Sequence, residues 1–131
     1  MTSSFAQALV DIVDDDRDVL GSLRFLLEAE GFEVRTFNSG ADCLACPSGK
    51  SPDCFVIDYK MEGMNGLDLV RCLRMAGQYA PIVLITGYPD ETIPTRALLD
   101  GVRHVVLKPH VDESLIAHVR SAIAEAAVKR G

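Results

Sequence analysis

The sequence predicts an α/β fold in which helices cover both faces of a parallel β-sheet. Three observations lead to this prediction. Short apolar runs alternate about five times with stretches of helical periodicity. Several runs end abruptly in polar residues, as strands do where their carboxyl ends open into the crevice of an α/β fold. No linker or low-complexity segment interrupts the pattern, so the 131 residues are expected to form one domain, with about 8–127 as its ordered core.

The first third of the chain predicts two strands and two helices. Residues 8–13 are an apolar run that precedes three aspartates and predict the first strand. Leucines at helical spacing follow, and Gly31 is well placed just past the helix end. Alternating apolar and polar residues over 32–37 predict a second strand at an edge of the sheet. Ser39 begins a capping pattern for a short helix, which Pro47 ends.

The middle of the chain predicts two further strands. Cys54–Asp58 is an apolar, partly β-branched run that ends in a carboxylate. A long turn with two glycines follows, and then a helix that Gly77 ends. Residues 82–85 are a continuous apolar run and predict the fourth strand. A strand buried on both faces cannot hide a charge along its length, so Asp58 is expected at the open end of its strand.

The last third predicts two helices and one strand. Residues 91–100 are predicted as a helix in which Pro94 must lie in the first turn, where proline is tolerated. Residues 105–107 predict the fifth strand. The final helix, with Asp112 as its cap, has the clearest amphipathic stripe of the chain. The stripe consists of Leu115, Ile116, Val119, Ala122, Ile123 and Ala126.

Composition excludes several classes of function. The formal net charge of −6 argues against direct binding to nucleic acids, which requires a clustered basic surface. No apolar run approaches the roughly 18 residues of a membrane span, and the first eight residues lack the features of a signal peptide. We therefore expect a cytoplasmic protein that neither binds nucleic acids directly nor enters a membrane.

The cysteines and histidines are weak candidates for metal or redox chemistry. Cys43 and Cys46 have the C-x-x-C spacing of a redox pair or of half a zinc site. However, they are predicted to share one face of a short helix, whereas a redox motif opens a helix directly after a strand. Cys54 falls in an apolar strand and Cys72 on a helix, so we predict structural roles for all four cysteines. The histidines are scattered, without ligand spacing, and receive no role: His104, His110 and His118.

Polar residues at the predicted strand ends form one chemical constellation. Asp14 and Asp15 follow the first strand, Asp58 ends the third, and Thr86 and Lys108 follow the fourth and fifth. If the strands are parallel, these residues converge, and the carboxylates repel one another unless a cation lies among them. Hard oxygen ligands favour Mg²⁺. A carboxylate beside magnesium can attack phosphorus to give an acyl phosphate, while the hydroxyl and the ammonium contact phosphoryl oxygens.

The ordered set of these motifs resembles the receiver domain of two-component response regulators. The motifs are Val13-Asp14-Asp15-Asp16, Val56-Ile57-Asp58 with Met61 and Gly66, Ile85-Thr86-Gly87, and Leu107-Lys108-Pro109. Each motif alone is weak, but the set is in order and spans nearly the whole chain. The resemblance implies a flavodoxin-like fold with strand order 2-1-3-4-5 and a cis peptide between Lys108 and Pro109.

The resemblance also implies a role for each site residue. Asp58 would be phosphorylated by a histidine kinase or a phosphotransfer protein. Asp15, Asp58 and the backbone carbonyl of Lys60 would hold Mg²⁺ directly, with Asp14 acting mainly through water. The only catalysis expected is phosphorylation and dephosphorylation of Asp58 itself.

The partners implied by the resemblance bind a second surface. The output face of the family consists of the fourth helix, the fifth strand and the fifth helix. In this chain that face would include residues 96–100, residues 104–106 and the exposed side of the last helix. A downstream protein, an attached output domain or a second copy in a phosphorylation-dependent homodimer would bind there.

The chain departs from the receiver pattern at two positions. Glu62 stands where receivers usually have proline, which adds a carboxylate near the acidic cluster. Val105 stands where the family has the aromatic residue that couples to the threonine, so we expect altered coupling. Lys60 and Tyr88 occupy the two positions that tune hydrolysis of the acyl phosphate in this family.

Two alternatives remain open at this point. Asp14 and Asp16 match the D-x-D start of haloacid-dehalogenase-type phosphatases, as nucleophile and acid respectively. That hypothesis leaves Asp58 unexplained and requires a longer chain than this one. The other alternative is a receiver-shaped interaction module that no longer uses phosphate, which the departures at Glu62 and Val105 keep open.

Overall fold

A computed structural model describes residues 8–46, 50–87, 92–108 and 113–130. Within these ranges, strands and helices alternate along the chain in the predicted order. The strands are β1 (Leu9–Val13), β2 (Glu33–Phe37), β3 (Cys54–Asp58), β4 (Ile82–Thr86) and β5 (His104–Leu107). The helices are α1 (Arg17–Ala29), α2 (Gly40–Leu44), α3 (Gly66–Met75), α4 (Thr92–Leu99) and α5 (Glu113–Arg130).

All five strands lie in one parallel sheet with the order β2-β1-β3-β4-β5, which confirms the predicted fold class and strand order. The register pairs Val13 with Ile57 and Asp58 with Ile85. The carboxyl ends of β1, β3 and β4 therefore lie close together at the same edge of the sheet. This edge carries the predicted site residues.

The boundaries of the elements differ from the predictions by one residue at several places. Phe32, predicted in a strand, donates its N–H to the carbonyl of Leu27 at 3.2 Å and so closes the end of α1 instead. β4 extends to Thr86 and β5 begins at His104, because pairing between these two strands continues over both positions. Pro94 is the third residue of α4 and lies in its first turn, as predicted. Two predicted helix signals, Pro47 and Asp112, lie outside the described residues, and so does Glu91, where the fourth helix was predicted to begin.

Two apolar layers cover the sheet. Helices α1 and α5 pack on one face, and α2, α3 and α4 pack on the other. The stripe predicted for α5 supplies buried side chains to the first layer: Leu115, Ile116, Val119 and Ala122. These layers hold the strands rigidly, so the positions of their ends are set by the core.

One buried residue contradicts the expectation that a central strand carries no charged side chain along its length. Asp11 lies within β1 and is only 3% exposed. It faces Arg35 at the paired position of edge strand β2. The guanidinium donates to both carboxylate oxygens, from Nε at 2.7 Å and from NH2 at 2.8 Å. The charge is tolerated because a bidentate ion pair replaces its lost hydration.

The cysteines have structural environments, although one detail of the prediction is wrong. Helix α2 ends at Leu44, so Cys46 lies beyond it and does not share a helical face with Cys43. All four thiols are free, and Cys43 and Cys54 are buried. Burial raises the pKa of the Cys43 thiol to about 12, which leaves it without the thiolate that redox chemistry requires.

Candidate functional site

The carboxyl edge of the sheet brings the predicted polar residues together. Asp58 is the last residue of β3, and Thr86 is the last residue of β4. Asp14 directly follows β1, and Lys108 directly follows β5. Asp14, Asp58 and Thr86 are buried, whereas Asp15 is exposed. The site thus has buried walls and one side open to solvent.

Three carboxylates form the centre of the site. Asp14, Asp15 and Asp58 each offer an oxygen atom, and these atoms lie within 4.8 Å of one another. The Oδ1 atom of Asp14 accepts the N–H of Asp16 at 2.9 Å, but its buried Oδ2 atom has no hydrogen-bond partner. An orphaned buried oxygen beside two further carboxylates fits a bound cation, and three hard oxygen donors suit Mg²⁺.

Lys108 supplies a single ammonium to this cluster. Its Nζ atom lies 3.2 Å from Oδ1 of Asp58 and 3.8 Å from Oδ2 of Asp14. The backbone N–H of Lys108 donates to the carbonyl of Thr86 at 2.8 Å, which continues the β4–β5 pairing past the end of β5. These four groups, the ammonium of Lys108 and the three carboxylates, together carry an excess of negative charge.

The excess charge and the burial change the protonation of the site. Burial raises the pKa of Asp14 to about 6, with Asp58 and Asp15 adding to the increase. The backbone hydrogen bond from Asp16 and the charge of Lys108 oppose this increase. Burial likewise raises the pKa of Asp58, and Lys108 opposes it. The ionised carboxylates are therefore unfavourable where they lie, and a bound cation would stabilise their charge.

Close packing fixes the backbone around Asp58. The N–H of Tyr59 donates to the carbonyl of Ile85 at 2.7 Å, and the N–H of Gly66 donates to the carbonyl of Tyr59 at 2.7 Å. A Cβ atom at Gly66 would lie 2.6 Å from the carbonyl oxygen of Asp58. Glycine is thus required where α3 begins, since any side chain would push the helix away from the site.

The loop between β3 and α3 contacts the turn after β1. The backbone N–H of Glu62 donates to Oδ2 of Asp15 at 3.0 Å. The side chain of Glu62 is exposed. Lys60 lies in the same loop, two residues beyond Asp58. The use of its carbonyl as a metal ligand stays a prediction.

Several predicted features remain without a structural description or a test. Tyr88 and Pro109, and with Pro109 the predicted cis peptide, lie outside the described residues. The predicted contact of Thr86 with a phosphoryl group stays a prediction. Val105 is half-buried and packs against the apolar layer formed with α2, α3 and α4. Its neighbour His104 belongs to the opposite side of the strand.

Two of the three histidines are not scattered, which corrects the sequence-based expectation. The Nδ1 atoms of His104 on β5 and His118 on α5 lie 2.9 Å apart. The Nε2 atom of His104 lies 3.1 Å from Oε1 of Glu125. Burial lowers the pKa of His118, and His104 lowers it further. No spacing in the sequence indicates this cluster, because it depends on how α5 packs on β5.

Comparison with known proteins gives the same class as the fold and the site. The family model described as the response regulator receiver domain matches residues 10–120. The chain belongs to this family, whose members are the receiver domains of two-component systems. The match gives no support to the phosphatase alternative or to the phosphate-independent one.

Curated relatives include bacterial transcriptional regulators. The chain is 33% identical over 115 residues to the transcriptional regulatory protein FixJ of Bradyrhizobium diazoefficiens, covering 88% of this chain and 56% of FixJ. It is 36% identical over 117 residues to the C4-dicarboxylate transport transcriptional regulatory protein DctR of Rhodobacter capsulatus, covering 88% of this chain and 59% of DctR. The chain thus spans a little more than half the length of these relatives.

Solved structures of receivers are similar over nearly their whole length. The chemotaxis protein CheY4 of Vibrio cholerae is 26% identical with a TM-score of 0.82, covering 89% of this chain and 99% of CheY4. A CheY-like receiver domain protein of Methanospirillum hungatei is 25% identical with a TM-score of 0.86, covering 96% and 100% of the two chains. Among the described residues, none of the helices combines the length and apolar character needed to cross a membrane.

Proposed function

We propose that the chain acts as a single receiver domain in which Asp58 accepts a phosphoryl group. The observation that carries this proposal is the buried carboxylate of Asp58 at the end of β3, 3.2 Å from the ammonium of Lys108 and next to two further carboxylates. The donor is a phosphohistidine of a histidine kinase or a phosphotransfer protein. A carboxylate oxygen of Asp58 attacks phosphorus, the P–N bond breaks, and the released imidazole keeps the electron pair and takes up a proton.

The neighbouring residues orient and neutralise the transferred group. Asp14, Asp15, Asp58 and the carbonyl of Lys60 would hold Mg²⁺, which supplies positive charge against the phosphoryl oxygens. The ammonium of Lys108 neutralises one phosphoryl oxygen, and the hydroxyl of Thr86 donates a hydrogen bond to another.

We also propose that the output surface is the face formed by α4, β5 and α5. Two of these elements carry exposed leucines, which are Leu98 and Leu99 on α4 and Leu107 on β5. Exposed leucines suit contact with a protein partner. The occupant is a downstream protein, an attached output domain or a second copy of the chain. Phosphorylation shifts the equilibrium between two states of this face.

The test of phosphorylation is incubation with acetyl phosphate, with and without Mg²⁺, followed by intact mass measurement. We expect a gain of one phosphoryl group that requires Mg²⁺. Asp58→Asn is the matched control, because it preserves the shape of the side chain and removes the nucleophile. A wild-type protein that binds Mg²⁺ but gains no mass, or an Asp58→Asn variant that gains as much as wild type, would refute the proposal.

A further inference from the structure

The hydrogen bond from Glu62 to Asp15 connects two loops across the mouth of the site. Asp15 lies in the turn between β1 and α1, and Glu62 lies in the loop between β3 and α3. Their contact, N–H to Oδ2 at 3.0 Å, joins positions 47 residues apart in the chain. Asp15 is exposed, so without this bond its carboxylate could adopt several rotamers in water. The bond holds one of its two oxygen atoms.

The contact uses the backbone of Glu62 and not its side chain. The side chain is exposed, and the atom that touches Asp15 is the amide nitrogen. Every residue except proline has this donor. Proline is the residue that receivers usually have at this position, so the substitution of glutamate for proline supplies an N–H that the usual pattern lacks. The side-chain carboxylate of Glu62, although it is the more obvious change in the sequence, takes no part in this contact.

We propose that Glu62 is a positioning residue whose backbone N–H orients Asp15 as a ligand for the divalent cation. This inference rests on the proposed function, since it assigns a role toward the same cation site. The hydrogen bond holds Oδ2 and leaves Oδ1 turned away from the amide. The carboxylate can then bind the cation without losing further rotamer freedom. Hydrogen bonds to metal ligands commonly raise metal affinity in this way. The bond also couples the β3–α3 loop to the occupancy of the site.

The test compares Glu62→Pro with Glu62→Ala. Both variants remove the side-chain carboxylate, but only proline removes the N–H, so Glu62→Ala is the matched control. Affinity for Mg²⁺ alone is measured by calorimetry and by amide chemical shifts in the unphosphorylated protein. We expect the dissociation constant to rise about tenfold in Glu62→Pro. In Glu62→Ala we expect it to stay within about twofold of wild type. Equal dissociation constants for the two variants would overturn the inference.

Two measurements exclude a general disturbance of the loop by proline. With acetyl phosphate and saturating Mg²⁺, Glu62→Pro should phosphorylate at the wild-type maximal rate, because only the affinity for the cation is lowered. In addition, exchange of the Glu62 amide proton with solvent is compared in wild type and Asp15→Ala, both without metal. Loss of the acceptor should accelerate this exchange about tenfold. Unchanged exchange would show that the bond does not form, and would refute the inference even if Glu62→Pro fails to fold.

The same titrations separate this inference from the proposed function. Asp15→Asn should lose most of the affinity for Mg²⁺ if the proposed metal site is correct. If wild type binds no Mg²⁺, or if Asp15→Asn binds it as wild type does, the proposed metal site and this inference both fail. If those two proteins behave as proposed and Glu62→Pro matches Glu62→Ala, the inference alone fails.

Discussion

Two buried aspartates lie three residues apart along β1 and the turn after it, and their surroundings are opposite. Asp11 is 3% exposed and Asp14 is 2% exposed. Both oxygens of Asp11 accept hydrogen bonds from Arg35. Asp14 has one oxygen without any hydrogen bond, and the ammonium of Lys108 lies 3.8 Å from that oxygen. Burial of a carboxylate therefore does not distinguish a structural residue from a functional one, whereas its set of partners does.

The contrast between the two aspartates shows which buried carboxylate lowers the stability of the folded protein. The ion pair of Asp11 is completed by the chain itself, and Asp11 in turn raises the pKa of Arg35. The cluster around Asp14 is left electrostatically incomplete, and burial with neighbouring carboxylates raises the pKa of Asp14 to about 6. An incomplete cluster of this kind is the expected state of a site that receives a cation.

Breaking the complete pair should have the largest effect on stability. Arg35→Ala leaves the carboxylate of Asp11 buried without a partner, and we expect a loss of about 3 kcal/mol in the free energy of unfolding. Urea denaturation measures this loss. Replacing both residues by alanine should cost less than Arg35→Ala alone, because the unpaired charge is then removed as well. A loss below about 1 kcal/mol for Arg35→Ala would mean that the pair is hydrated and not structural.

Neutralising Asp14 should have the opposite effect and raise the free energy of unfolding. Asp14→Asn removes a buried charge while its remaining oxygen can still accept the N–H of Asp16. The raised pKa of Asp14 corresponds to about 2–3 kcal/mol at neutral pH, and we expect the metal-free variant to be more stable than wild type by up to this amount. Chemical denaturation at pH 7.5 with a chelator tests it. Destabilisation by Asp14→Asn would indicate that its charge is already compensated within the protein.

The same raised pKa predicts how the stability of the metal-free protein depends on pH. A carboxyl group whose pKa is higher in the folded state binds more protons there, so its stabilising protonation is lost as pH rises through about 6. Lowering the pH from 7.5 to 5 should add about 1.4 kcal/mol from Asp14. The contribution of Asp14 should be absent in Asp14→Asn and at saturating Mg²⁺, whereas Asp58, whose pKa burial also raises, still contributes in the metal-free variant. A wild-type protein that only loses stability over this range would contradict the assignment.

The sequence predicts the side chains that meet at a shared strand edge better than it predicts contacts set by register or by the backbone. Apolar runs predicted four of the strands, and alternation of apolar and polar residues predicted β2. The residue type at each strand end predicted which side chains meet, because parallel strands share one edge. The pairing of Asp11 with Arg35 was not predictable in this way, since it depends on the register between β1 and β2. The contact of Glu62 with Asp15 was missed for another reason. The contact uses a backbone donor, and a sequence motif defined by side chains does not reveal which backbone groups lie beside those side chains.

The histidine cluster between β5 and α5 offers the smallest predicted effect. Two Nδ1 atoms 2.9 Å apart can share only one proton, so His104 and His118 cannot both be cations while this contact persists. Burial and His104 lower the pKa of His118, although Glu125 opposes the decrease.

A pKa that is lower in the folded state makes His118 destabilising as pH falls from about 6.5 through its folded value, opposite in sign to Asp14. NMR titration of the imidazole should place the pKa of His118 below 6.5, and His104→Gln should move it upward without restoring it fully, since burial remains. A pKa of His118 that is the same in both proteins would mean that the two rings do not interact in solution. Burial alone would then account for the lowered pKa of His118.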